Sequence, residues 1–254
     1  VLLNPSLGDK ALKRDFIYLN ICRFFRKKTS VFIHGFNFEY AKNADWKWIS
    51  ANLNKALCIF VLSQDFKNEL IRRGIKSDIH LTSTKVPDYF ISGFDLSMRQ
   101  GKAENIMYSG RIEKAKGVYE TVDTFSILKS QYKDLTLTFV GDGSELPMLK
   151  QYVENKKIKD VRFTGELRGE DFKKEYINAD MYLFLSYTEG MPTVVLEAMI
   201  FGLPIFTRKV GGLIDFFENG KMGYISSSLD PAVFAEAMKP YIENPAKMRS
   251  VSIY

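Results

Sequence analysis

The chain has 254 residues, 46% of them hydrophobic and 26% charged, with a formal net charge of +6. That length suits two cores better than one, and that balance excludes a disordered chain. No long uncharged apolar run and no charged-then-apolar leader with a small-residue cleavage site can be read, so a cytoplasmic protein without a membrane span is expected.

The basic excess belongs to the first part alone: residues 1–98 hold 15 Lys and Arg against 9 Asp and Glu, whereas residues 99–254 hold 21 of each. Its densest stretch, Lys10 to Lys28, predicts a helix with Phe16, Ile17, Phe24 and Phe25 set among Lys13, Arg14, Arg23, Arg26, Lys27 and Lys28. Such a helix either makes a peripheral contact with anionic lipid headgroups or turns a solvated outer face away from a core. No nucleic-acid partner is expected. The apolar contexts of Cys22 and Cys58 predict buried, reduced thiols. Ser30 to Ile33 reads as a strand ending in a turn at His34-Gly35. A helical segment follows through Trp46, Trp48 and Ile49, then a strand at Leu57 to Leu62 and a helix from Asp65 to Arg73 closed by Gly74. Between Asp88 and Glu104 the periodicity lapses into Pro, Gly, Ser and charged residues, which predicts an interdomain linker and domains of 1–98 and 99–254.

From Asn105 the pattern alternates. Strands are predicted at Ile106 to Ser109, Leu135 to Val140, Val161 to Thr164, Met181 to Leu185 and Pro204 to Thr207, each followed by a helical pattern. Apolar strands alternating with helices make an α/β unit around a parallel sheet, and ligands of such sheets bind beyond the carboxyl ends of the strands.

The turns there carry the candidate chemistry. Gly110, Arg111 and Lys116 form either a two-cation clamp for a diphosphate or a solvated basic turn. Gly141-Asp142-Gly143-Ser144-Glu145 lacks the third glycine of a dinucleotide turn, Pro147 standing near its place, so NAD is rejected and a tight turn with Ser144 capping the next helix is expected. In Thr188 to Met199, Gly190 permits close backbone approach, Pro192 suits a first helical turn, and the amides of Gly190, Met191 and Thr193 make an anion-attracting helix terminus. Glu189 and Glu197 beside it suit the hydroxyls of a sugar, which donate where carboxylates accept; the alternative is a capped helix with an incidental Glu. Arg208-Lys209-Val210-Gly211-Gly212 reads as an amide-exposing turn or a plain one. No cluster at metal-ligand spacing is found, so no metal and no cofactor are expected.

In this order the turns resemble the GT-B glycosyltransferases called group 1 or family 4: two Rossmann-like parallel-sheet domains, with Glu-x7-Glu at Glu189 to Glu197, Gly110-Arg111 with Lys116-Gly117, Gly141-x-Gly143-x-Glu145 and Val210-Gly211-Gly212. The resemblance covers 105–243. It implies a retaining, metal-independent transferase that moves a sugar from a nucleoside diphosphate sugar, UDP or GDP, to a hydroxyl of a glycan or lipid-linked acceptor in bacterial polysaccharide synthesis. Arg111 and Lys116 would hold the diphosphate, Glu189 the donor sugar, Glu197 the ribose, and the backbone near Gly165-Glu166-Leu167 the base. Val31 to Gly35 resembles the strand and turn bearing the family's active-site histidine, here His34. The first domain is expected to be incomplete, because the family's opening strand and glycine-rich loop do not precede Val1. A non-catalytic nucleotide-sugar-binding fragment and a sugar-nucleotide epimerase of the same fold are the alternatives.

Overall fold

The computed structural model describes residues 1–36, 38–99 and 103–251. They divide into two compact units, the first made of Val1–Thr84, Thr188–Pro192 and Val210–Phe216, the second of Lys85–Tyr187, Thr193–Lys209 and Phe217–Tyr254.

In the first unit short β-branched and aromatic runs pair in parallel. Strands β1 (Leu2–Leu3), β3 (Ser30–Ile33), β5 (Cys58–Val61) and β6 (Asp78–Leu81) form a sheet in the order β1-β3-β5-β6, and β2 (Ser6–Leu7) pairs separately with β4 (Gly35–Phe36). Along β3 and β5 burial alternates: Val31, Ile33, Ile59 and Val61 are enclosed, while Phe32 and Phe60 are half-buried. The enclosed face meets Leu12, Phe16 and Leu19 of α1 (Asp9–Phe24), Ile49 and Leu53 of α3 (Trp46–Leu53), and Phe66 and Leu70 of α4 (Gln64–Arg72), with the short α2 (Phe38–Asn43) between. Ser63 caps α4 by accepting from the Phe66 N–H at 3.2 Å. Phe16, grouped by sequence with the outer aromatics of α1, is a core residue at 3% exposure. The expectation of buried thiols is corrected too, since Cys22 and Cys58 are only half-buried.

The second unit is a six-stranded parallel sheet of β7 (Asn105–Ser109), β8 (Thr136–Val140), β9 (Val161–Phe163), β10 (Met181–Phe184), β11 (Ile205–Arg208) and β12 (Gly223–Ser226). Its order is β12-β11-β10-β7-β8-β9, so the winding reverses between β7 and β10. Helices α5 (Val118–Gln131), α6 (Leu146–Asn155), α7 (Gly169–Asn178), α8 (Thr193–Ile200), α9 (Pro231–Glu243) and α10 (Pro245–Val251) complete it. Every residue of β10 and β11 is buried, as a parallel sheet covered on both faces requires. Among the described residues no helix is long and apolar enough to cross a membrane.

The stretch read as a linker is instead part of this unit as far as Arg99. The Phe90 ring lies 5.4 Å from Phe201 and 5.8 Å from both Phe172 and Tyr176, and Phe94 lies 5.0 Å from Phe201. Aperiodic spacing hid an arm with enough aromatic surface to pack. Arg99 fastens its end, donating to the carbonyls of Tyr176 at 2.8 Å, Phe201 at 2.9 Å, Ile177 at 3.0 Å and also Ala179. Burial lowers the Arg99 guanidinium to about 10, and Asp180 opposes the shift.

Arg99→Leu keeps bulk but leaves those carbonyls without their donor, a loss of charge-assisted bonds that should cost about 2–4 kcal/mol of unfolding free energy by chemical denaturation. A loss below about 1 kcal/mol would mean that the aromatic contacts alone hold the arm.

Candidate functional site

Open α/β sheets take their ligands where the strand order reverses, just outside the carboxyl ends of the strands. Here that point lies between β7 and β10, and the turns that follow them are bonded together. The Tyr187 N–H donates to the Ala115 carbonyl at 3.0 Å, and the Ser186 hydroxyl to the same oxygen at 3.2 Å. The backbones approach so closely that a Cβ on Gly117 would lie 1.9 Å from the Leu185 carbonyl oxygen, and Gly117 has a φ of 67°. Only glycine satisfies both conditions. From this turn the exposed Arg111 reaches Glu113 through Nη1 at 2.9 Å, while Lys116 is half-buried at the end of the helical turn Lys114–Lys116. An ion pair whose Arg side is 69% exposed is weak. Helix α5 then starts without a side-chain cap, so its positive end opens at the same edge.

The next two turns are laced to the first. The Ile112 N–H donates to the Asp142 carbonyl at 2.9 Å, the Glu145 N–H to the Ile112 carbonyl at 3.0 Å, and the Gly141 N–H to the Gly165 carbonyl at 2.8 Å. Gly110, Arg111, Lys116 and, two residues past Gly165, the half-buried Leu167 therefore follow one edge of the sheet. Ser144 does not cap α6: the capping position is Glu145, without a side-chain bond. Arg208, read as part of a glycine turn, is 3% exposed and pins the turn after β10, donating to the Leu185 carbonyl at 2.8 Å with its guanidinium 4.2 Å from the Tyr187 ring centre.

Glu197, half-buried on α8, ends a chain of hydroxyls. Its Oε2 accepts from the Tyr176 OH at 2.8 Å; Tyr176 also meets Ser109 Oγ at 2.8 Å, and Ser109 meets the Tyr182 OH at 2.9 Å. Tyr176 donates to the carboxylate, and the Tyr182 OH also donates to the Ser109 carbonyl at 3.1 Å, so all three hydroxyls are satisfied. Burial pushes the Glu197 carboxyl above its ordinary range, against the Tyr176 bond, and burial raises both phenols as well.

In the first unit three distant turns meet. The His34 N–H donates to the Pro5 carbonyl at 3.3 Å, while its ring holds Asn4 Oδ1 at 2.8 Å through Nδ1 and Ser6 Oγ at 2.9 Å through Nε2. Asn4 Oδ1 only accepts, so Nδ1 donates to it. A Cβ on Gly190 would lie 2.1 Å from the His34 carbonyl oxygen, and one on Gly211 would lie 2.0 Å from the Gly190 oxygen. The Gly212 N–H donates to that same oxygen at 2.8 Å. The half-buried Glu189 and Met191 flank Gly190 in this cluster. Helix α8 begins only at Thr193, which corrects the expectation that Gly190 and Met191 give amides to its first turn; Pro192 stands just before the helix. Among the described residues no group of three or more His, Cys, Asp and Glu could hold a metal ion.

Residues 97–254 match the family model of the glycosyl transferases of group 1. The chain belongs to this family. Over 149 residues it is 30% identical to a glycogen synthase of Mycobacterium tuberculosis, a match that covers 58% of this chain and 36% of that one. Over 154 residues it is 29% identical to the capsular polysaccharide biosynthesis glycosyltransferase CapM of Staphylococcus aureus, covering 58% and 38%. The chain thus spans little more than a third of the length of these group 1 relatives. Among solved structures it is similar to Anabaena HepE in complex with UDP-glucose, with a TM-score of 0.78 at 20% identity over 99% of this chain and 71% of that one. It is likewise similar to the sucrose-phosphate synthase of Thermosynechococcus elongatus, with a TM-score of 0.82 at 20% identity over 99% and 66%. The fold of this group 1 chain is the GT-B fold, two parallel-sheet α/β units.

Sequence reading missed several residues that this family member sets around its turns. Asn4 follows one two-residue strand and Ser6 opens another, both too short to show a period; Glu113 and Tyr176 touch Arg111 and Glu197 only once the chain is folded. Asp215, whose Oδ2 accepts from the Gln64 N–H at 2.8 Å at the start of α4, gives no local signal.

Because the native pKa of Glu197 is raised, the native state holds that proton more tightly than the unfolded chain. This contribution to stability is complete below the ordinary carboxylate value and is lost as pH rises through the raised one. Gln keeps the acceptor for Tyr176 without the charge. Glu197→Gln should therefore raise Tm at neutral pH by a few degrees, the two proteins converging below about pH 4 in thermal scans. A lower Tm at neutral pH would show that the native state favours the ionised form.

Proposed function

We propose that the chain supplies the donor-binding machinery of a transferase that moves a hexose-type sugar from a nucleoside diphosphate sugar to a hydroxyl of a glycan or lipid-linked acceptor, with retention at the anomeric carbon. The observation that carries this reading is the bonded pair of turns where the sheet order reverses, with two cations and an uncapped helix start on one of them. A departing diphosphate gains negative charge, and fixed cations and amides stabilise that charge without reorganising. Arg111 binds by its planar fork and Lys116 as a point charge, so no divalent ion is required. Glu197, braced by Tyr176, takes the ribose hydroxyls, Glu189 those of the sugar, and the backbone near Leu167 the base. His34, held by Asn4 through Nδ1, serves the sugar or acceptor hydroxyl by exchanging Ser6 for it at Nε2. Anabaena HepE was solved with UDP-glucose, and the pneumococcal O-GlcNAc transferase GtfA with UDP and GlcNAc, which favours uridine as the base. Relatives named for glycogen synthesis and capsular polysaccharide biosynthesis favour a bacterial polysaccharide as product.

A thermal-shift screen against UDP-, GDP- and ADP-sugars tests the donor class, since a ligand of the native state alone raises Tm. Arg111→Ala and Lys116→Ala should each weaken nucleoside diphosphate binding by about 1.5–3 kcal/mol while sparing the nucleoside. Equal losses for both ligands in calorimetry would remove the diphosphate assignment. The two carboxylates should separate in the same experiment. Glu197→Gln is expected to weaken plain UDP, whereas Glu189→Gln should spare UDP and abolish the added affinity of the sugar nucleotide. Identical behaviour of the two variants would end this division of roles.

A further inference from the structure

Helix α1 is apolar on two faces. Leu12, Phe16 and Leu19 are enclosed in the first unit, yet the opposite side leaves Ile17 at 61%, Ile21 at 47% and Phe24 at 83% exposure. Positions i, i+4 and i+7 fall on one face of a helix, so these three form a stripe, with Tyr18 beside it and the exposed Phe25 just past its end. Cations bracket the stripe: Lys10, Lys13 and Arg14 before it, Arg23, Arg26, Lys27 and Lys28 around its far end, all exposed. The single acid in this stretch, Asp15, is 5% exposed and paired with Arg14 at 3.0 Å. A solvated face gives no reason for Ile, Ile and Phe to stand in line in water. An apolar protein groove would explain them without the cations. An anionic bilayer surface explains both, because apolar side chains enter the headgroup boundary while Lys and Arg meet phosphates.

We propose that α1 docks this outer face on an anionic lipid surface, its axis in the plane of the membrane, with Ile17, Ile21, Phe24 and Phe25 as the inserted residues. The proposal is independent of the donor-site assignments. The test is co-sedimentation of the chain with vesicles of phosphatidylcholine alone and of phosphatidylcholine mixed with phosphatidylglycerol. Binding is expected to the mixed vesicles only and to weaken with added salt, as screened charge requires. The double variants Ile17→Ser with Phe24→Ser, and Lys27→Glu with Lys28→Glu, should each reduce it at least about tenfold, a change of about 1.4 kcal/mol. Their thermal stability should stay at the wild-type value, because these side chains are exposed. Equal binding to neutral vesicles, or full binding by either variant, overturns the proposal. So does absence of binding, and self-association in gel filtration that the serine variant abolishes would assign the stripe to a second copy of the chain.

Discussion

The contact between Gly117 and the Leu185 carbonyl is the constraint on which the placement of the second unit's turns rests. Strands adjacent in the sheet but remote in the chain must send their following turns out side by side, and a single Cβ would part them. Once these backbones touch, the Tyr187 N–H and the Ser186 hydroxyl both reach Ala115. The cation turn is then fixed against β10 rather than left to solvent. Arg208 reinforces the arrangement by holding the Leu185 carbonyl, a buried cation used for structure where Arg111 is left exposed.

The same economy governs the polar interior. Tyr176 and Tyr182 are fully enclosed, and burial of phenols is tolerable only with partners, which Ser109 and Glu197 provide. Tyr176 joins two tasks: its ring stacks on Phe201 at 5.4 Å in the layer that receives the arm of Phe90 and Phe94, and its hydroxyl braces Glu197. Packing of the arm and orientation of the carboxylate thus share one side chain.

Much of the second unit was legible in the sequence because five of its six strands lie in apolar stretches and its turns carry Gly, Arg, Lys and Glu at characteristic intervals. Strand β12 escaped because Gly-Tyr-Ile-Ser buries only alternate residues and follows no long helix. In the first unit β6 buries Ile79 alone, and β1 and β2 have two residues each, below the length at which alternation can be recognised. The helical reading of Gly190 and Met191 failed because Pro192 is as much at home just before a helix as within its first turn. A cut of the sequence into consecutive halves also cannot represent a unit that includes Thr188–Pro192 and Val210–Phe216. The partners of His34 and Glu197 were invisible for the same reason: they are set by tertiary approach, and nothing in local spacing records it.

The strand order has a kinetic meaning as well. Neighbours β7, β8 and β9 can zip in succession, each closing a loop that contains one helix, whereas β10 must return past all three to pair with β7. That closure has the greatest sequence separation of the sheet's junctions, and long-range parallel pairing is slow because its entropy is spent before its contacts form. The bonded turns that follow β7 and β10 meet at that junction. An intermediate that has formed only the β7-β8-β9 half would possess both cations and the start of α5, yet lack the wall that aims them. The two facing turns are accordingly expected to come together late in folding, when β10 pairs with β7.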